Sequence, residues 1–349
     1  MKLRILVAAT ATLSLHAHAQ TGVTVYGSFD GGVRHETNVD RDGNDLTRIS
    51  SNGTYRPNRL GFRGNEDLGN DLKANFVLEL GFNSGTGALN NTNNVLFQRE
   101  AHVGIANKYL SLDIGRNYSA AYRAIQAFDP FKFRYPSLTY TLSSTNGIRK
   151  DNDVQLTGRY GDWTARLEWA PGEIAGDSNA GTTKALALNY ASGGLKAGAS
   201  YSFGKQNAGT TAAPLYRDYD HKAYGASYDF GAFAVAAGHV EQEQETASRA
   251  GTSTWDWVGG SYQLSKNMDF TLAWYRNKVY TARATAAAAV GDGQKDLLIA
   301  GISYDLSKRT TLYAEIDRTR LRGGLASGGT ERLNQTRQSG VAAGILHAF

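Results

Sequence analysis

Apolar residues recur at every second position along most of this chain. In LKANFVLELGF (72–82), Leu72, Ala74, Phe76, Leu78, Leu80 and Phe82 share one face, while Lys73, Asn75 and Glu79 occupy the other. Val154, Leu156 and Tyr160 alternate with Asp153, Gln155, Thr157 and Arg159, and Leu312, Ala314 and Ile316 alternate with Glu315 and Asp317. A helix would place apolar residues three and four apart, so this period predicts strands with one dry face and one wet face.

The connections alternate too. Short ones are predicted at Asp67–Asn70, Asn107–Lys108, Gly161–Asp162, Gly193–Gly194, Phe230–Gly231, Ser265–Asn267 and Ser307–Arg309. Longer polar stretches fall near 38–56, 84–93, 117–147, 171–182, 204–220, 244–252, 281–294 and 323–337. Together these give sixteen strands in an up-and-down meander, with no composition break to mark a second domain. A soluble sandwich would use strands of about five or six residues, whereas a tilted membrane-spanning strand needs about 9–11. The alternating runs here extend over about nine to thirteen residues. That length favours an all-β, antiparallel transmembrane barrel, whose closure removes the unpaired edges that lipid cannot satisfy.

Composition changes the picture in three places. The start, MKLRILVAATATLSLHAHAQ, carries Lys2 and Arg4, an apolar run from Ile5 to Leu15, and the small-x-small site Ala17-His18-Ala19. This pattern predicts a signal peptide over 1–19 and a mature domain over 20–349. Removing Lys2 and Arg4 from 37 basic side chains leaves 35 against 32 acidic ones, with no basic run dense enough for nucleic acid. Cysteine is absent, and no apolar stretch after the leader reaches the 18 residues of a membrane helix. The mean hydropathy of −0.41 is compatible with a barrel, because half of each strand faces a wet lumen. Trp163, Trp169, Tyr190, Tyr228, Phe230 and Tyr304, near strand ends, fit interfacial girdles.

The stretches GVTVYGSFDGGV (22–33), NRLGFRGNEDLGNDLKANFVLELGF (58–82), LFQREAHVGI (96–105), LSLDIGRNYSAAY (110–122) and the terminal AGILHAF carry a family resemblance. The chain resembles the general porins of Gram-negative outer membranes, in their beta-proteobacterial branch. The resemblance implies a 16-stranded barrel in the outer membrane, a homotrimer, and passive diffusion of ions and small hydrophilic solutes. It also implies a third long loop folded into the barrel as a constriction, here 117–147, and a terminal aromatic, Phe349, read by the outer-membrane assembly machinery. Two departures stand out. Residues 117–148 contain Asp129 as their only carboxylate, and His347 stands where the family's terminal motif has tyrosine.

Strand parity assigns the lumen. With Leu60 and Phe62 turned to lipid, Arg59, Arg63 and Asn65 point inward, as do Asp30, Arg34, Lys73, Glu79, Asp153, Arg159, Arg166 and Glu168. Charges on the lipid face would each cost about 2–4 kcal/mol near midplane. Arg59, Arg63 and Arg159, with Lys132 or Arg134 from the loop, are expected to form a positive constriction that prefers anions; Arg123, Lys73, Glu79 and Asp129 complete the expected lining. The alternative is a nearly unselective lining in which Glu79, Asp129 and Asp153 neutralise the arginines. Arg99 and Arg116 share parity with apolar neighbours, which points to strand ends, a bulge or a subunit contact.

Other classes have less behind them. The five mature histidines (35, 102, 221, 239 and 347) are dispersed, and no H-E-x-x-H or nucleophile–base spacing occurs, so neither enzyme, metal nor cofactor is expected. A substrate-specific channel, or an adhesin using its long loops, remains the alternative.

Overall fold

A computed structural model describes residues 22–49, 53–91, 93–245, 250–281, 292–326 and 335–349. The expected signal peptide lies outside the described residues. The strands are β1 (Gly22–Glu36), β2 (Leu46–Ile49), β3 (Arg59–Gly69), β4 (Leu72–Gly81), β5 (Glu100–Ala106), β6 (Leu110–Tyr118), β7 (Arg149–Tyr160), β8 (Trp163–Ala170) and β9 (Thr183–Ser192). They continue as β10 (Leu195–Asn207), β11 (Tyr216–Asp229), β12 (Phe233–Glu245), β13 (Ala250–Ser265), β14 (Met268–Thr281), β15 (Gly293–Asp305), β16 (Thr310–Gly323) and β17 (Arg337–Ala348). Sixteen form one closed antiparallel barrel; the four-residue β2 lies within the first long connection and pairs with Val33–Glu36 of β1.

Closure runs along β1. Gly22–Ser28 pairs with β3, and Ser28–Glu36 pairs with β17. The terminal residue completes that seam: the amides of Gly27 and Phe349 donate to each other's carbonyls, both at 3.1 Å. The phenyl ring lies over Gly27 on the outer face, where a side chain at position 27 would collide with it.

Burial follows the inverse of a soluble domain. On β1 the outward Val23, Val25, Phe29 and Val33 are exposed, while the inward Ser28, Asp30, Arg34 and Glu36 are buried. The same inversion holds around the wall, as a barrel with a lipid-facing exterior requires. One end carries the aromatic pairs Trp163–Tyr190, Tyr228–Phe230 and Phe230–Phe233, with centroids 4.5–4.9 Å apart. These lie beside the short turns, as expected of an interfacial girdle.

All seven short turns fall where the sequence places them, and the 171–182 connection fits between Ala170 and Thr183. Two expectations need correction. The sixteen barrel strands range from seven residues in β5 to sixteen in β13, a wider spread than expected. The expected 204–220 loop shrinks, because β10 continues to Asn207 and β11 starts at Tyr216. There Lys205 opposes Asp218 and Gln206 opposes Arg217. Above the membrane both faces of a hairpin are wet, so the backbone ladder continues after the apolar alternation has stopped. Arg99 precedes β5, and Arg116 sits at a register shift between Gly115 and Asn117, so both awkward positions have a local cause.

Candidate pore lining and constriction

Between β6 and β7 the chain does not run free. Ser119 caps a short helix, α1 (Ala120–Ile125), accepting a hydrogen bond from the Tyr122 amide at 3.3 Å. The helix is rich in alanine, and Ala120 and Ala124 pack directly on Ala185 and Ala187 of β9. Polar groups of the inner wall hold its backbone. The Ala120 amide donates to Glu168 Oε2 at 2.6 Å, Asn189 donates to the Ala124 carbonyl at 3.3 Å, and Ser227 donates to the Ala127 carbonyl at 2.8 Å.

The segment then crosses a seat prepared for it. Gly198, Gly225 and Gly238 stand directly opposite one another on β10, β11 and β12, all with luminal parity. The Phe128 ring lies on this row: a Cβ added at Gly225 or Gly238 would come within 2.3 or 2.7 Å of it. The next residue along the row, Trp257, stacks on Phe128 with centroids 5.8 Å apart and donates from Nε1 to its carbonyl at 2.8 Å. Beyond it Tyr275 donates to Asp129 Oδ1 at 2.8 Å. Tyr135 reaches as far as the Ala314 carbonyl of β16 at 3.1 Å and meets Tyr55 and Tyr313 edge-on or nearly so. The return leg is tied by His221, whose Nε2 lies 2.6 Å from the Ser144 carbonyl, and by Gln206, which donates to Asn146 at 3.0 Å. The segment therefore covers the inner wall from β8 to β16.

The opposite wall is cationic. A cavity of about 710 Å³ on the long-loop side is lined by Arg48, Arg56, Arg59, Arg99, Lys132 and Arg149, and no carboxylate lines it. A second cavity of about 430 Å³, reaching the short turns at Gly194 and Asp229, is mixed: Arg123, Lys132, Arg166 and Lys196 face Asp129 and Asp229. A third, of about 260 Å³, sets Lys132 and Arg134 against Asp229 and Asp269. Lys132 lines all three cavities, and Gln126 lines the first two. Burial, with Arg134 and Lys196 close by, pushes the Lys132 ammonium below its ordinary value. Burial likewise lowers Arg56, and Arg134 adds to that effect. Crowded like charges of this kind make a standing positive potential.

The sequence-selected residues divide accordingly. Arg59 and Lys132 share the first cavity, and Arg134 sits beyond Lys132 with its guanidinium 5.2 Å from the Tyr55 ring. Arg63 stacks over Tyr26 at 5.2 Å and lines none of these three cavities. Lys73 and Arg159 lie close to the short turns, at the mouth. Glu79 is 2% exposed and lies between Arg99, which donates to it, and Arg59 at 3.7 Å. Arg123 lies 3.4 Å from Glu100.

Asp129, an expected lining charge, borders the second cavity and also has a structural task. It is 3% exposed, and its carboxylate accepts from the Phe133 amide at 2.6 Å and from the Tyr275 hydroxyl. Burial raises it to about 6, even though both donors pull the other way. It anchors the segment. The cations that parity missed are Arg48, Arg56, Arg99 and Arg149. Arg48 lies on the short β2 and Arg56 in the loop after it, both within a long connection where alternation gives no lumen face, and the last two sit at or beside strand starts. Arg149 is held by Tyr118, donating to its hydroxyl at 2.9 Å with the ring 4.5 Å away.

Comparison with known proteins agrees with this geometry. A family model described as Gram-negative porin matches residues 6–324. Outer membrane porin protein 32 of Delftia acidovorans is 28% identical over the full length of both chains. An outer membrane porin of Bordetella pertussis is 26% identical, covering 95% of this chain and 96% of its own. Among solved structures, an anion-selective porin from Comamonas acidovorans superposes with a TM-score of 0.78 at 23% identity, covering 94% of this chain and all of that one. A trimer form of OmpT from Vibrio cholerae superposes with a TM-score of 0.67 at 13% identity, covering 94% and 99%. Sixteen closed strands with an apolar exterior, a polar lumen and a family match over residues 6–324 identify the chain as a member of the Gram-negative porin family, an outer-membrane channel for passive diffusion.

Proposed function

We propose that this porin prefers anions and that segment 117–147 forms its constriction, with Lys132 at the narrowest passage between the two vestibules. The observation that carries the reading is the first cavity, which six cationic side chains line and no carboxylate lines. An ion passing there sees a low-dielectric wall of one sign, and such walls concentrate their own potential. The anion-selective relative of similar fold is in line with this reading. Glu79 offsets part of this charge through Arg59 and Arg99, and Glu36 pairs with Arg48, but Arg56, Lys132 and Arg149 have no carboxylate within ion-pair distance among the described residues. The reading takes the protein as a channel and not an enzyme, in keeping with the porins that it resembles.

The reading includes a homotrimer, as in the trimer form of the OmpT relative, and outer-membrane lipid as the surrounding solvent. Phe349 serves as an assembly signal as well as a seam residue; its deletion lowers membrane insertion while leaving the conductance of the inserted fraction unchanged. The reversal potential in a salt gradient across a planar bilayer tests the main proposal. A potential of the sign for anion permeation is expected, and cation preference would sink the idea.

A further inference from the structure

The seam along β1 is not a continuous ladder. On the edge that faces β3, pairing runs from Gly22–Asn65 to Ser28–Arg59 and then stops. Higher on the same edge, Val33–Glu36 pairs with β2. Residues 29–32 between them have no strand partner on that edge among the described residues. An unpaired edge within a barrel wall needs its polar groups satisfied by other means. Residues 53–58, at the end of the first long connection, lie on the inner side of this gap. The Asp30 amide donates to Asn58 Oδ1 at 2.5 Å, and Ser28 Oγ donates to the Pro57 carbonyl at 3.2 Å.

One buried carboxylate shapes that turn. Asp30 is fully buried; its Oδ2 accepts from the amides of both Tyr55 and Arg56 at 2.7 Å, and its Oδ1 accepts from the Tyr313 hydroxyl at 2.6 Å. Hydrogen bonds to an ionised acceptor are about twice as strong as neutral ones, so three of them fix the turn firmly. Gly53 closes it at a φ of +75°, and a Cβ there would come within 1.5 Å of the Arg56 carbonyl. Glycine takes that conformation without steric cost. Tyr55 stacks on Tyr313 with centroids 4.9 Å apart, and its carbonyl accepts from the Tyr135 amide at 3.0 Å. The turn therefore adjoins segment 117–147 where that segment reaches β16. From the turn Arg56 extends to the first cavity, which it lines together with Arg59 and Lys132.

We propose that residues 53–58 are a second constriction element, continuous with segment 117–147, and that Asp30 is the positioning residue that holds Arg56 in the ion path. Asp30 does not line the first cavity, and its charge is covered, so it acts through Arg56 and not on the passing ion. Two roles for this carboxylate differ in sign. By charge alone, removing a carboxylate from an inner wall raises the preference for anions. By positioning, removing this one lowers it, because Arg56 is released. The effect on ion choice rests on the anion reading above; the place of the turn in the passage does not.

Planar-bilayer recordings of the full-length protein test both parts. Asp30→Ala is expected to lower the anion-to-cation permeability ratio about two- to fivefold, the loss expected of Arg56→Gln, and to add nothing in the Arg56→Gln background. Asp30→Asn is expected to stay within about twofold of the wild type, since its amide oxygen can accept from the two amides while its NH2 donates to the Tyr313 hydroxyl. A ratio that rises or stays unchanged in Asp30→Ala, or that falls equally in Asp30→Asn, overturns the positioning role. Should Asp30→Ala fail to fold, Gly53→Val, which leaves β1 intact, is expected to give the same fall, and an unchanged ratio there is equally decisive. The chain has no cysteine, so Arg56→Cys offers a single thiol to biotin maleimide. Labelling is expected to cut the single-channel conductance by about a third or more. Labelling without that loss, or no labelling, puts the turn outside the passage and overturns the proposal. A cation-preferring wild type whose Arg56→Cys variant still loses conductance on labelling rules out the anion reading and leaves this element in place.

Discussion

The two halves of the inner wall obey one alternation rule and use it for opposite ends. Across β10 to β14 one inward row is small or aromatic: Gly198, Gly225 and Gly238, then Trp257 and Tyr275, make a seat for Phe128 and Asp129. From β3 to β7, together with the first long loop, the inward positions that matter are cations, and they face the open cavity. One wall holds an object and the other sets a field. The difference teaches that luminal parity says only that a residue meets water or a loop. Its size and charge decide which.

Removing the seat is the strongest way to break the contrast. Phe128→Ala, which deletes a fully buried ring, is expected to cost about 3–5 kcal/mol of loop anchoring while the barrel ladder stays closed. Limited proteolysis should then cut within 119–148 at protease levels that leave the wild type intact. Conductance steps should also become heterogeneous, and an uncut loop with uniform steps would show that the seat is not what holds it.

A smaller effect follows from Asp129. Its carboxyl is raised to about 6 from an ordinary value of 3.8. Below about pH 4 it is neutral whether the loop is seated or released. Between about 4 and 6 the released form ionises first, so anchoring weakens as pH rises and the loss is complete above about 6, on the order of 3 kcal/mol. Loop protection is expected to be greater at pH 4.5 than at pH 7.5 in the wild type, and Asp129→Asn should flatten that profile.

The cationic half is probed by Arg56→Gln and Arg59→Gln. A charge 4 Å from a passing ion is worth about 1 kcal/mol in water, so each change is expected to lower the anion-to-cation permeability ratio about two- to fivefold. Seat and loop protection should be untouched. An unchanged reversal potential in the double variant would place selection elsewhere. The smallest effect is that of salt: raising ionic strength from 0.1 to 1 M shortens the screening length from about 10 to 3 Å, and the wild-type preference should shrink accordingly.

Much of this was legible in the chain. Alternation gave the strand faces, short breaks in it rich in Gly, Asn and Ser gave the short turns, and the alternation of the last nine residues gave the last strand. Arg59 and Lys132 were found by parity and by loop length. Arg63, Lys73 and Arg159 were given the right face but not the right height, because parity carries no depth. Arg99 looked misplaced because it precedes its strand. The glycine row was also readable in principle, as glycines of inward parity in successive strands, but its meaning needs the register that places them side by side.

The sequence by itself determined a closed, lipid-facing meander, since a two-residue period leaves each strand one apolar face and one polar face. The tertiary structure alone decided which inward residues share a level, that Asp129 anchors the loop, and that Lys132 borders all three luminal cavities. Those facts depend on pairing between strands far apart in the chain and on where a long loop comes to rest. Local periodicity does not encode such distances.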